Sequence, residues 1–542
     1  MKNYLYTIFN KLSDKLDYLK NVDFIFTVPN QQAHGDYSTN VAMLLTKVLK
    51  KNPRDIANEI ISNLEYDKSV IEKIEIAGPG FINFYFTKKY VTNVIKDIIE
   101  KSENYGRSNK YNGKIAQVEF VSANPTGPLT VGHGRNAVTG DTIANLLEWI
   151  GYKVEREYYF NNAGRQMRIL GDSVRLRYLE LLGHNIEFPE EYYQGDYIKD
   201  IAKKLYDEYG DKLINENPEG IFKQRAEKEI FDDINKTLSR LNIHFDNYYN
   251  ENSLYEEGRI EKLLKLFEEK KLSYKKDDAV WLKLSELGNE KDKVIVKSTG
   301  EPTYRLPDIA YHITKFERGY DLIVDLFGSD HNATYPDVLA GLKALGYDIN
   351  KVKVLIHQFV TIIQNGEVVK MSTRKANYVT LDELIDEVGS DVVRYFFNMR
   401  SISSHLNFDI GLAKKQSDEN PVFYLQYAHA RISSILRMTK DENLNLSLEN
   451  LELLTQDEEQ NLLKKLFEFP DEVLLSAENF EPHRICVYLE ELAALFHKFY
   501  TECRIIGSPK ELAEARIALI IAVQTVLRNG LKILGVSAPE KM

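Results

Sequence analysis

Two widely separated segments contain residue types that bind a nucleoside triphosphate. The first, residues 122–133, has the sequence SANPTGPLTVGH and places a proline- and glycine-rich turn before His133. The second, residues 370–374, has the sequence KMSTR, with a cation at each end. Free N–H groups and a histidine at a helix start hold phosphate oxygens, and lysine or arginine neutralises phosphate charge. Alone, the first segment is also typical of a capped strand-to-helix turn, and the second of a solvated basic loop. Together they predict two halves of one nucleotide site.

The surrounding patterns predict the elements that position these segments. Residues 115–121 have the apolar run of a buried strand, residues 138–150 the periodicity of a helix, and residues 153–159 the pattern of another strand. This βαβ order predicts a parallel sheet with a right-handed crossover. Strand-like runs at 321–327 and 352–356 continue the sheet. Ligands collect at the carboxyl ends of parallel strands, and both segments follow strands, so we expect them to meet there.

Patterning along the rest of the chain predicts a multidomain α/β protein with a Rossmann-type sheet, because 542 residues exceed a single core. The C-terminal part carries the 3- and 4-residue apolar spacing of bundle helices. The predicted units are an N-terminal α+β module (1–105), the parallel-sheet domain (106–380) with a mostly helical insertion (about 170–290), a connecting stem (381–414) and a C-terminal all-α bundle (415–542).

The bulk composition excludes several classes of protein. Cys486 and Cys503 are the only cysteines, without CxxC pairs, which argues against a disulfide framework or a structural zinc site and predicts no resident metal. The net charge of −11 argues against indiscriminate nucleic-acid binding but permits local basic patches. We find no leader-like start and no uninterrupted apolar run of membrane length, and therefore expect a cytoplasmic protein without a membrane partner.

Several stretches, in this order along the chain, resemble arginyl-tRNA synthetases, a branch of the class I aminoacyl-tRNA synthetases. The matching stretches are 34–40 (HGDYSTN), 78–83 (GPGFIN), 119–127 (EFVSANPTG), 159–166 (YFNNAGRQ), 420–431 (NPVFYLQYAHAR) and 534–540 (LGVSAPE). The resemblance implies that the sheet domain is catalytic, that the N-terminal module contacts the tRNA elbow, and that the C-terminal bundle binds the anticodon. Tyr424 and Tyr427 are candidates for stacking on RNA bases or for core packing.

The chain departs from the family pattern at two positions. The signature His-x-Gly-His has Thr130 in place of its first histidine, and the Lys-Met-Ser-Lys-Ser loop has Thr373 in place of its second lysine. A threonine hydroxyl can bond to a phosphate oxygen but carries no charge. The interpretation therefore leaves the positive charge to His133, Lys370 and Arg374.

The resemblance also implies a set of site residues. The catalytic residues are Thr130, His133, Lys370 and Arg374. Those implied to contact ATP are Pro125, Thr126, Gly127, Gly132, His133, Asn136, Gly328, Asp330, Met371 and Ser372. Those implied to contact arginine are Glu119, Ser122, Asn124, Glu251, Tyr304, Asp308 and His331.

The chemistry of arginine is consistent with the last set. A planar, permanently charged guanidinium needs carboxylates and a flat ring. Tyr304 and Asp308 share one face if their segment is helical, which requires Pro307 to lie in the first turn. Any one of these acids alone is more typical of a solvated surface, so the set depends on the resemblance.

The implied activity is arginine–tRNA ligation. The carboxylate of L-arginine attacks the α-phosphate of ATP, which enters with Mg²⁺, and the resulting arginyl-adenylate acylates the 2′-hydroxyl of the 3′-terminal adenosine of tRNA(Arg). The family is mostly monomeric and requires bound tRNA for the first step.

Two other functions remain open from the sequence alone. A small-molecule nucleotidyltransferase shares the turn and the sheet, but is usually shorter and lacks a helical tail. A non-catalytic RNA-binding paralogue is favoured by Thr130 and Thr373, and disfavoured by His133, Lys370 and the pocket acids.

Overall fold

A five-stranded parallel sheet lies at the centre of the chain, between an N-terminal module and a C-terminal helical bundle. The computed structural model describes residues 1–29, 34–369 and 379–542. The predicted multidomain α/β class is confirmed, as are its parallel sheet, N-terminal α+β module and all-α C-terminal part.

The N-terminal module packs helices on one small antiparallel sheet with strand order β1-β3-β2. Its strands are β1 (Tyr37–Thr39), β2 (Ile71–Ala77) and β3 (Phe81–Phe86). Its helices are α1 (Lys2–Ser13), α2 (Val41–Leu44), α3 (Thr46–Leu49), α4 (Pro53–Asn63) and α5 (Lys88–Lys101). Phe9, Phe26 and Phe84 meet edge-on in its core, with ring centroids 5.0 to 6.0 Å apart.

The central sheet begins with β4 (Ile115–Glu119), helix α6 (Val131–Trp149) and β5 (Lys153–Phe160), the predicted βαβ unit. Both expected boundaries differ near the site. The strand ends at Glu119 because the next turn leaves extended geometry, and the helix starts at Val131, ahead of the predicted 138, because Thr130 caps it.

Residues 170–290, the predicted insertion, contain more helix than strand, but they also add a strand to the central sheet. Helices α7 (Gly164–Leu181), α8 (Asp196–Tyr209) and α9 (Lys223–Arg240) lead into β6 (Asn247–Asn250), which pairs with β5 at the sheet edge. The sequence of β6, Asn-Tyr-Tyr-Asn, lacks the apolar run of a buried strand because an edge strand has fewer buried neighbours.

The chain then builds a second small sheet before returning to the first. This part contains α10 (Asn252–Glu256), α11 (Arg259–Glu269) and the antiparallel strands β7 (Ser273–Lys276), β8 (Ala279–Leu282) and β9 (Lys293–Val296). Helix α12 (Arg305–Glu317), β10 (Leu322–Gly328), α13 (Tyr335–Ala344) and β11 (Val352–His357) complete the main sheet, whose order is β11-β10-β4-β5-β6.

The predicted stem is joined to the sheet domain by strand pairing. The elements of this region are β12 (Val360–Gln364), β13 (Glu367–Val368), α14 (Leu381–Val388), α15 (Ser390–Asn398), β14 (Leu406–Asp409) and α16 (Ile410–Ala413). Because β14 pairs in parallel with β12, the stem and the sheet domain share a third small sheet.

Four long helices form the C-terminal bundle. They are α17 (Pro421–Asp441), α18 (Asp457–Glu478), α19 (His483–Glu502) and α20 (Lys510–Leu534). Among the described helices, α20 alone is long and apolar enough to cross a membrane, and 78% of its most apolar window is buried inside the protein. It carries Arg516, which is buried and paired with Glu459 at 2.7 Å.

Arg394 joins the bundle to the central sheet. Its guanidinium is buried and donates to the carbonyl oxygens of Leu241 (2.7 Å) and Leu534 (2.8 Å) and to the Asp141 carboxylate (2.6 Å). These partners lie just after α9, at the end of α20, and on α6. Gly535 lies against the guanidinium, where a Cβ atom would come within 2.2 Å of it.

Candidate active site

His133 lies in the first turn of α6 and forms a reciprocal cap with Thr130. The Thr130 N–H donates to His133 Nδ1 at 3.1 Å, so the proton of the neutral ring is on Nε2. Burial, together with the nearby His357, lowers the pKa of His133 to about 4. In this structure His133 is therefore a neutral Nε2–H donor at pH 7, whereas the sequence interpretation assigned it positive charge.

The Thr130 hydroxyl belongs to the same cap. Its oxygen lies 3.3 Å from His133 Nδ1 and 3.5 Å from the His133 backbone nitrogen, within the first turn of α6. At Gly132, a Cβ atom would meet only the Thr130 hydroxyl, at 3.7 Å. The protein therefore leaves room for a ligand beside this glycine.

Asn136 holds the strand ends together from inside α6. Its side-chain oxygen accepts from the Val121 N–H at 2.6 Å, and its amide donates to the Leu326 carbonyl at 3.1 Å. Val121 and Ser122 have φ values of 66° and 44°, an unfavourable conformation for residues with a side chain, above all a β-branched one. Because Asn136 bonds to backbone groups on both sides, it stabilises the conformation of the turn after β4.

The turn after β4 places the predicted amino-acid contacts next to β5. The Ser122 hydroxyl donates to Glu119 Oε1 at 2.9 Å and accepts from the Tyr159 N–H at 3.2 Å. Asn124 accepts from the Asn161 N–H at 2.9 Å and donates to Gln166 at 3.0 Å.

The next residues of this turn include two that contact Tyr197 of helix α8. Pro125 is buried. The Thr126 carbonyl accepts from the Tyr197 hydroxyl at 2.7 Å. A Cβ atom at Gly127 would lie 2.9 Å from that hydroxyl, so a larger residue there would have to displace the Tyr197 side chain.

Two half-buried carboxyls, those of Asp308 and Glu251, lie near Glu119. Loss of hydration, with smaller contributions from Glu251 and Glu119 and against the opposing effect of His312 and Lys315, raises the pKa of Asp308 to about 7. Burial also raises the pKa of Glu251, although the Tyr159 hydroxyl donates to it at 2.8 Å. No ion pair to Asp308 or Glu251 occurs among the described residues, so both carboxyls would gain from a cationic ligand.

Tyr304 and Asp308 have different environments. Helix α12 begins at Arg305, which puts Pro307 in the first turn as the shared-face interpretation requires. The Tyr304 side chain is 80% exposed, whereas the Asp308 carboxyl faces Glu251 and Glu119. The structure thus brings the three acids together and leaves the Tyr304 ring in solvent.

A small cavity lies between α12, α13 and the ends of β10 and β11. Its lining residues are Asp308, His312, Phe327, His331, Thr334, Tyr335, Val338, Leu339 and Val354. The ring of His331 stacks on Phe327 with centroids 4.7 Å apart. Gly328 ends β10, and the backbone of Asp330 follows in the short 3-10 helix Ser329–Ala333.

A buried charged network beneath this cavity was not found from the sequence. Lys315 pairs with Glu119 at 2.5 Å and Asp325 at 2.6 Å, and His312 Nε2 lies 3.0 Å from Asp325. Burial opposes the ionised form of Asp325, but Lys315 and His312 outweigh it and hold the pKa of Asp325 well below its usual range. The Tyr311 hydroxyl donates to Glu157 at 2.5 Å. Residues 308, 311, 312 and 315 have helical spacing and therefore share one helix face. This pattern is the signal from which the sequence could have predicted the network.

The predicted residues Lys370, Met371, Ser372 and Arg374, together with Thr373, lie outside the described residues. Among the residues that are described, no three His, Cys, Asp or Glu side chains are grouped so as to hold a metal ion.

Comparison with known proteins covers the whole chain. Three family models match: the arginyl tRNA synthetase N terminal domain at residues 3–86, the catalytic domain of tRNA synthetases class I (R) at 94–397, and the DALR anticodon binding domain at 425–542. An arginine–tRNA ligase from Desulfotalea psychrophila is 52% identical over 518 residues, 95% of this chain and 94% of that protein. One from Salinibacter ruber is 50% identical over all of both chains.

The fold agrees with these matches. The structure of Thermus thermophilus arginyl-tRNA synthetase superposes with a TM-score of 0.80 and 21% identity, covering all of both chains. At that identity it supports the fold, while the family rests on the sequence matches. The chain therefore belongs to the arginyl-tRNA synthetases of class I.

Proposed function

We propose that this chain ligates L-arginine to tRNA(Arg) at the expense of ATP. The observation that carries the proposal is the pair of half-buried carboxyls, Asp308 and Glu251, which lie close enough for Glu251 to raise the pKa of Asp308 and which form no ion pair among the described residues. Acids shielded from water in this state are costly alone, and a guanidinium would compensate both. A lysine or citrulline side chain cannot pair with both in the same way, so the site would reject them.

In the first proposed step, a carboxylate oxygen of arginine forms a bond to the α-phosphorus of ATP, and the bond to the bridging oxygen of the β-phosphate breaks. Pyrophosphate leaves, and arginyl-adenylate remains. The start of α6 and the Nε2–H of His133 would donate to the phosphate oxygens. Lys370 and Arg374 are proposed to neutralise the leaving group, and Mg²⁺ enters bound to the ATP.

In the second proposed step, the 2′-hydroxyl of the terminal adenosine attacks the carbonyl carbon of arginyl-adenylate, and AMP leaves. This chemistry needs no protein nucleophile, so catalysis consists of positioning and charge stabilisation.

The remaining site residues are proposed to position the substrates. The exposed Tyr304 ring would stack on the guanidinium, while Glu119, Ser122 and Asn124 would hold the amino-acid end. His331 would close the arginine side of the cleft. The proposed ATP contacts are Pro125, Thr126, Gly127, Gly132, Asn136, Gly328, Asp330, Met371 and Ser372.

We propose that the two terminal units bind the tRNA. Residues 1–105 would contact the elbow and residues 415–542 the anticodon. In the bundle, Tyr427 is 40% exposed and stacks with Phe423 and His497, which gives a surface suited to an unpaired base. The proposal takes the chain as a cytoplasmic monomer. Light scattering in solution tests whether it is monomeric.

A charging assay tests the ligation directly. Purified protein, ATP and total tRNA are incubated with each radiolabelled amino acid, and acid-insoluble label is counted. We expect arginine to charge tRNA and an Asp308→Asn variant to lose at least about tenfold in arginine affinity, because a charge-assisted pair is lost. No charging by the wild-type protein with arginine would contradict the proposal.

A further inference from the structure

Lys315 separates two carboxylates that the sheet places side by side. Glu119 ends β4 and Asp325 lies opposite it in β10, in the parallel register Asp325↔Glu119. Residues paired in this way project to the same face of the sheet. The Lys315 Nζ atom contacts one oxygen of each, at 2.5 Å and 2.6 Å. One buried ammonium therefore fixes both acids.

Helix α12 holds the ammonium rigidly. Lys315 is fully buried, and its Nζ lies 4.4 Å from the centre of the Tyr311 ring. His312, on the same helix face, takes the other oxygen of Asp325 at 3.0 Å and faces the Asp308 carbonyl at 2.8 Å. Both donors to Asp325, Lys315 and His312, lie on α12. Glu119 accepts from Lys315 on α12 and from Ser122 in the turn after β4, and these two bonds set its orientation.

Glu119 retains acceptor capacity toward the turn after β4. An ionised carboxylate has about four acceptor positions, and the bonds from Lys315 and Ser122 occupy one on each oxygen. Ser122 belongs to the turn that also carries Asn124, at the carboxyl end of the strand. The guanidinium acids, Asp308 and Glu251, lie on other elements, so Glu119 is the acid at the amino-acid end.

We propose that Lys315 is a positioning residue that holds the Glu119 carboxylate in the orientation that receives the α-ammonium group of arginine. This inference rests on the proposed function and deepens it. Lys315 itself touches no substrate. Its contribution is to select the α-ammonium end, separately from the guanidinium recognised by Asp308 and Glu251.

The test compares two ligands that differ in one group. L-arginine carries the α-ammonium, and 5-guanidinopentanoate lacks it but keeps the guanidinium and carboxylate. Binding of each to the full chain is measured by calorimetry for the wild-type protein, Lys315→Met and Glu119→Gln. In both variants we expect arginine affinity to fall about tenfold or more, and affinity for the analogue to change less than about twofold, because only one charged contact is lost.

A control and a double variant keep the test decisive. Lys465, 13% exposed and paired with Glu468 and Glu491 in the bundle, is a half-buried lysine that also bridges two carboxylates, and Lys465→Met should leave the ratio of the two affinities unchanged. If Lys315→Met does not fold, Glu119→Gln and Glu119→Gln/Lys315→Met are compared, and their ratios should agree because Lys315 acts through Glu119. The inference would be overturned if Lys315→Met lost affinity equally for both ligands. It would also be overturned if the ratio of the two affinities differed between Glu119→Gln and Glu119→Gln/Lys315→Met. Failure of the wild-type protein to bind arginine would instead count against the proposed function.

Discussion

At His133 and Asp308, the surroundings favour the neutral form of the side chain. The histidine is half-buried and accepts a backbone N–H, and loss of hydration lowers its pKa to about 4, which makes it a neutral donor. The aspartate is half-buried near two other acids, and loss of hydration raises its pKa to about 7. The sequence identified both positions through motifs, but it could not predict their protonation, because that depends on neighbours such as His357 and Glu251.

Arginine binding should depend on pH through Asp308. The carboxyl is largely protonated below pH 7, while the guanidinium favours its ionised form. Affinity should therefore rise as the pH increases from 6 to 8, by at most about tenfold per pH unit below the pKa, with proton release on binding. Calorimetry in buffers of different ionisation enthalpy measures both effects. Asp308→Asn should abolish the pH dependence, and a pH-independent affinity in the wild-type protein would contradict this account.

His133 should act through its donor and not through charge. His133→Ala is expected to lower the rate of adenylate formation about 10²–10³-fold, the typical cost of one donor at a developing charge. His133→Gln, which keeps an N–H donor, should lose less. Exposed His184→Ala is the control and should match the wild-type rate. The account would be contradicted if the rate of adenylate formation depended on an ionisation near pH 6.5 in the wild-type protein but not in His133→Gln. That result would show that the protonated, charged ring takes part in catalysis.

At the scale of elements, the strands of the central sheet were predicted to within a few residues. Apolar runs and turn residues indicate β4, β10 and β11, because buried parallel strands are rich in apolar residues. Strand β5, Lys-Val-Glu-Arg-Glu-Tyr-Tyr-Phe, lacks such a run and was indicated by its place after α6. The edge strand β6 was missed, because its polar and aromatic residues lack that signal. The apolar periodicity indicated α6 only from residue 138, whereas the turn before His133 indicated a helix start close to the observed Val131.

The turn after β4 should depend on Asn136. Asn136→Ala leaves the Val121 N–H and the Leu326 carbonyl without their partner, at about 1–3 kcal/mol for each buried group. We expect the free energy of unfolding to fall by at least about 2 kcal/mol, together with a higher KM for ATP. Denaturant unfolding and exchange kinetics measure the two effects. Asn350→Ala, at an exposed turn, is the control. Unchanged stability in Asn136→Ala would show that the turn holds without this brace.

At the scale of the whole molecule, Arg394 connects parts that are far apart in the sequence. Its partners, Leu241, Leu534 and Asp141, are joined only in the folded chain. Composition and periodicity predicted the order of the units, but backbone carbonyls carry no sequence signal, so this joint could not be predicted.

Gly535 should be intolerant of a side chain. A Cβ atom there would approach the Arg394 guanidinium to 2.2 Å, and its φ of +68° already disfavours other residues. Gly535→Ala should therefore lower the unfolding temperature more than Gly507→Ala, where φ is +89° but no atom lies within 4 Å. The glycine strain alone costs about 1 kcal/mol, and the clash adds to it. Equal shifts measured by calorimetry would show that the joint can rearrange.

The most direct test of arginine activation is ATP–pyrophosphate exchange with each of the twenty amino acids, with and without total tRNA. The half-buried pair of Asp308 and Glu251 predicts that, of the twenty, only arginine drives exchange, at least in the presence of tRNA, and that lysine gives none. Citrulline, added as a further substrate, should also give none. Exchange driven by another amino acid, or no exchange with arginine plus tRNA, would contradict the account.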